Sequence, residues 1–181
     1  MFFRIIAAVL LVSTAVCAQQ NRKRTGAAPT PAVLSQSAFT TTSGLTASPG
    51  TITFTSSDPD AGPVSGSTAT VTWIVTNGSK NNNWTLSVSV GSPTLTNCGT
   101  VPASAIRVTC ARASVGGGGS GSCRPAFDLS TTPQTVASGQ EGNNTRTYTV
   151  TINYSFTDQW KYIAAVSPAC AATLTYTADN P

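Results

Sequence analysis

From residue 51 onward, apolar and polar side chains alternate in short runs. Ile52 and Phe54 are spaced by threonines, and Ala69, Val71, Trp73 and Val75 point one way while Thr68, Thr70 and Thr72 point the other. The same period recurs at Trp84, Leu86, Val88 and Val90, at Ile106, Val108 and Cys110, and in the longest run at Tyr148, Val150, Ile152, Tyr154 and Phe156. Leu174 and Tyr176 close the series. A period of two is that of a β-strand with one dry face and one wet face. Asn77-Gly78 predicts a turn between two of these runs, which then form a hairpin or consecutive strands. Loops rich in glycine, proline and small polar residues separate the rest, and short helical turns are predicted at most near 102–105 or 160–165. The pattern predicts an all-β domain over 49–181, an immunoglobulin-like two-sheet sandwich of about seven to nine strands. A closed barrel is the alternative, because alternation alone does not distinguish closure from two packed layers.

The N-terminal part reads differently. Arg4, an apolar run over 5–12 and the small-residue stretch Val16-Cys17-Ala18 have the order of an export signal, predicting a leader over 1–18 and a mature chain from about Gln19. A lipoprotein acylated at Cys17 is the competing reading, disfavoured by Val16 just before it. The apolar run is shorter than the about twenty residues a bilayer requires, so no transmembrane segment is expected. Residues 19–48, with Pro29, Pro31 and many Ser, Thr and Ala, show no sustained apolar period and read as a flexible tail or linker. Within them 32–42 carries Val33, Leu34 and Phe39, enough to serve as a first or an exchanged strand.

Beyond the leader stand Cys98, Cys110, Cys123 and Cys170, an even set that predicts two disulfides in an oxidising compartment. Three pairings exist; the favoured one joins Cys98 to Cys110, which bracket a short turn-containing segment, and Cys123 to Cys170, which would tie a glycine-rich loop to the last strand. Zinc is a poor reading of these cysteines, since the chain has no Cys-x-x-Cys pair and no histidine.

The missing histidine also removes the commonest general base and the histidine-dependent nucleophilic triads. Six acidic residues remain, Asp58, Asp60, Asp128, Glu141, Asp158 and Asp179, all in or beside predicted loops. A two-carboxylate glycosidase would also need a cleft of converging aromatic and polar groups. The expectation is a non-enzyme with no cofactor. Asp58-Pro59-Asp60-Ala61-Gly62 is the one acidic cluster; it suits a turn better than calcium, for which Asp58 and Asp60 alone supply too few oxygens. The tract at 116–121 lacks the Lys-Ser/Thr and helix of a phosphate cradle and reads as a mobile surface loop. The net charge of +4 is concentrated at Arg22, Lys23 and Arg24, a solvated tail with no nucleic-acid partner expected. Trp73 and Trp84 fall in register with buried aliphatics, whereas Trp160 and Tyr162 lie in a predicted bend and are the candidate ligand contacts. Glycosylation sequons stand at Asn77, Asn83, Asn143 and Asn153.

At Trp84-Thr85-Leu86-Ser87-Val88-Ser89 the chain resembles bacterial surface and pilus-type sandwich proteins, including the cell-wall-associated W-x-L group and, more loosely, spore-coat or fimbrial subunits. The distal Trp-x-Leu of the W-x-L group is absent, and Trp160-Lys161-Tyr162 stands in that region instead. The resemblance implies a surface or matrix protein; the departure puts peptidoglycan binding in doubt. Three functions follow as expectations: a secreted structural or adhesive domain with a surface protein or glycan as partner, a carbohydrate-binding module, and a pilus-like subunit that self-associates by exchanging 32–42.

Overall fold

The computed structural model describes residues 30–38, 44–56, 62–159, 162 and 170–180. The signal segment, Asp58, Asp60 and Trp160 lie outside the described residues.

The chain is an all-β sandwich. Its strands are β1 (Thr30–Ala38), β2 (Thr46–Ser48), β3 (Thr51–Ser56), β4 (Val64–Ser65), β5 (Ala69–Gly78), β6 (Asn83–Val90) and β7 (Thr94–Leu95). They continue with β8 (Cys98–Pro102), β9 (Ile106–Val115), β10 (Ser122–Cys123), β11 (Phe127–Asp128), β12 (Gln134–Gln140), β13 (Asn144–Phe156) and β14 (Cys170–Asp179). One sheet has the order β10-β12-β6-β14-β1-β3; the other runs β11-β9-β13-β5-β2, with β4 also on β13. β7 and β8 form a separate ribbon. The predicted short helix near 102–105 is a 3-10 turn, Ala103–Ala105.

The alternation translates directly into burial. β6 buries Trp84, Leu86, Val88 and Val90, and β13 buries Tyr148, Val150, Ile152, Tyr154 and Phe156. Facing them are Ile52, Phe54, Val71, Trp73, Ile106, Val108, Leu174 and Tyr176, all buried in one core. Removing these side chains from water is the main driving force for closing the two layers. Two polar groups cross the dry interior together: the hydroxyls of Tyr154 on β13 and Tyr176 on β14 lie 2.7 Å apart, each satisfying the other.

β5 and β6 do not form the hairpin that was one reading of their sequence: they are consecutive strands in different sheets. The connection comes after Gly78, where Asn82 donates its N–H to the Ser79 carbonyl, while Asn77 takes the left-handed conformation at φ 59°.

The ordered sandwich also begins earlier than residue 49. β2 pairs with β5, and β1 lies between β14 and β3, parallel to the former and antiparallel to the latter. This pairing is made by the backbone, which leaves little trace in an apolar period. The tail expected over 19–48 therefore contributes a strand to each sheet.

The disulfide pairing corrects the one expected. Cys98 bonds Cys170 and Cys110 bonds Cys123, with Cα separations of 5.2 and 5.4 Å. Cys98 opens β8, and the bridge between Thr96 and Ala171 brings that ribbon to the start of β14, where Cys170 sits. Cys110 belongs to β9 in one sheet; the chain then crosses to become β10 in the other, so this bond links the two sheets. The expected pairing fails because β8 lies against the start of β14, which brings Cys98 to Cys170, while Cys110 on β9 meets Cys123 on β10.

Candidate functional site

The two ends of β13 carry the side chains with chemical potential. At the end near Asn144 an aromatic cluster is sealed by glycine-rich backbone. Trp73, Trp84 and Tyr148 pack with ring centroids 5.1 to 5.7 Å apart. Each polar tip has a partner: the Trp73 indole N–H donates to Asn180 Oδ1, that of Trp84 to the Ser120 carbonyl at 3.0 Å, and the Gly142 N–H to the Tyr148 hydroxyl. Burial raises the Tyr148 hydroxyl pKa above its ordinary value, opposed by the Gly142 hydrogen bond and aided by the Glu141 charge.

The tract at 116–121, expected as a mobile surface loop, is mostly exposed, and its backbone approaches that of 139–142 closely. A Cβ on Gly139 would meet the Ser120 carbonyl oxygen, and one on Gly142 would meet that of Gly116. Gly117 and Gly118 take left-handed backbone at φ 68° and 76°, a region favoured by glycine. The glycines permit backbone to lie on backbone, closing the sandwich above Trp84. Glu141 is 1% exposed there and accepts the Ser79 N–H at 3.1 Å.

At the opposite end, where β13 finishes at Phe156, a polar cleft of about 410 Å³ opens. Its walls are the 3-10 turn with Ser104 and Ala105, the start of β9 with Arg107, β11 with Asp128, and the segment after β13 with Thr157, Gln159 and Tyr162. Arg107 and Asp128 are register partners on β9 and β11, and their side chains form an ion pair at 3.0 Å. The Arg107 guanidinium also donates to the Ala126 carbonyl. Backbone bonds from Thr157 to Ala105 and from Leu129 to Ile106 fix the walls.

Tyr162 reaches this cleft, although not as an exposed aromatic platform. It is 6% exposed and stacks on Phe156 with centroids 6.4 Å apart, and its N–H donates to the Gln159 carbonyl. Burial and then the Asp158 charge raise its hydroxyl pKa. The sequence pointed to Tyr162 but missed Arg107 and Asp128, whose approach depends on β9 and β11 pairing across a Pro-containing loop.

Asp128 and Glu141 stand at opposite ends of β13, far beyond the about 5 to 9.5 Å separating a glycosidase carboxylate pair. Asp158 accepts the N–H of Gln159, and Asp179 ends β14. Among the described residues no group of three or more His, Cys, Asp or Glu is placed to hold a metal ion. No helix among them is long and apolar enough to cross a membrane. The sequons at Asn77, Asn83, Asn143 and Asn153 all have exposed asparagines. No protein-family model matches the chain, and no curated protein matches it either.

Proposed function

We propose that the chain is an exported, non-catalytic structural or adhesive domain of the cell surface. The observation that carries this reading is the placement of its disulfides: Cys110–Cys123 joins β9 of one sheet to β10 of the other, and Cys98–Cys170 fixes the β7–β8 ribbon to β14. Such bonds persist in oxidising compartments and are reduced in the cytosol. The signal pattern over residues 1–18 agrees. Amine labelling of intact cells with a membrane-impermeant reagent tests the location through Lys23 and Lys80. Labelled protein with no free thiol is the expected result; labelling only after lysis, with reduced cysteines, would overturn the proposal.

A second reading, a subunit that assembles by strand exchange, is favoured by β1. This strand comes early in the chain, stands next to the edge strand β3 in the sheet order, and pairs parallel with β14 and antiparallel with β3. A strand in that position from a second copy would satisfy the same backbone groups. Deleting 19–38 should lower the thermal midpoint and provoke association, and a peptide of sequence 30–38 added in trans should reverse both. A truncated chain that stays monomeric with an unchanged midpoint would remove this reading.

A further inference from the structure

We infer that the cleft beside Arg107 and Asp128 is a binding site for a neutral saccharide. Its volume of about 410 Å³ falls within the range of about 300–1,000 Å³ typical of small-molecule sites. The lining is dominated by hydrogen-bonding side chains, with Ser104, Arg107, Asp128, Thr157 and Gln159 all exposed to solvent. Such a wall suits a ligand that carries many hydroxyls, and it offers little to a largely apolar one.

Charge narrows the class further. Arg107 and Asp128 neutralise each other at 3.0 Å, so this pair presents a donor fork beside a carboxylate and adds no net charge of its own. An anionic ligand would have to compete with Asp128 for the guanidinium. A vicinal diol uses both groups at once, one hydroxyl donating to the carboxylate while its neighbour accepts from the guanidinium. Gln159 and Thr157 add donors and acceptors on the facing wall. The pair is held by strand register between β9 and β11, and the walls by backbone hydrogen bonds, so little ordering is required on binding.

This site does not depend on how the chain assembles or on its being structural, and its test is separate. The mature chain is applied to an array of neutral oligosaccharides of glucose, galactose, mannose and N-acetylglucosamine, alongside sulfated and sialylated glycans. Binding to a neutral glycan is expected, weakened at least tenfold in Arg107→Gln and in Gln159→Ala and unchanged in Arg112→Ala, which alters β9 away from the cleft. Should Arg107→Gln fail to fold, Gln159→Ala and Thr157→Val decide the question on exposed positions. An array blank for neutral glycans, binding confined to anionic glycans, or neutral-glycan binding indifferent to the cleft variants would overturn the inference.

Discussion

Tyr154 and Tyr176 show what a buried polar pair contributes to this core. Among the described residues each hydroxyl bonds the other, so Tyr154→Phe or Tyr176→Phe alone leaves one oxygen without that partner at a cost of about 1–3 kcal/mol. The double variant should cost less than the sum of the two, and urea denaturation of all four proteins measures the difference. The same pair gives the fold an alkaline limit. Burial raises both hydroxyl pKa values, Tyr154 also through its neighbour, above the about 10 of an unfolded tyrosine. A group whose folded pKa is raised contributes stability fully present below the unfolded value and lost as pH climbs through the folded one. The urea midpoint should therefore fall above about pH 10, and the fall should be shallower in Tyr154→Phe/Tyr176→Phe. A wild-type midpoint level from pH 9 to 12 would contradict this.

Elements here are joined as much by backbone as by side chains, and that decides what was legible. The buried sets of β5, β6 and β13 follow from alternation alone, since a period of two places every second residue in the core. β1 was legible only as a stretch apolar enough to be a strand, because its neighbours β14 and β3 are chosen by hydrogen-bonding edges that no side-chain period records. The glycine tract was legible as a surface loop from its composition, but its close approach to Gly139 and Gly142 was not, because backbone-to-backbone contact leaves no side-chain pattern. Gly139→Ala and Gly142→Ala should each destabilise by about 1–3 kcal/mol through overpacking against carbonyl oxygens. The loss should be accompanied by altered tryptophan fluorescence, since Trp84 donates to Ser120 in the displaced loop. Unchanged stability and emission would show that the loop is loose.

At the scale of the whole molecule, two cross-links act on chain segments of different length. Cys98–Cys170 closes a separation of 72 residues and Cys110–Cys123 one of 13. Loop-closure entropy assigns them about 4 and about 3 kcal/mol, so Cys98→Ser/Cys170→Ser should lose more urea stability than Cys110→Ser/Cys123→Ser. The even cysteine count was readable from the sequence; the partners were not, because they follow from where β8 and β10 sit relative to β14 and β9. The Arg107–Asp128 cleft was hidden for the same reason, its walls coming from three separate parts of the chain.

Tryptic mapping without reduction tests this architecture most directly, on protein expressed with its own leader and isolated with its thiols blocked. Cleavage after Lys80, Arg107, Arg112, Arg146 and Lys161 puts the four cysteines on four different peptides, since Pro125 protects the bond after Arg124. The sandwich predicts two linked pairs, the Cys98 peptide with that of Cys170 and the Cys110 peptide with that of Cys123. Cys98 linked to Cys110, or four unlinked peptides bearing free thiols, would contradict it.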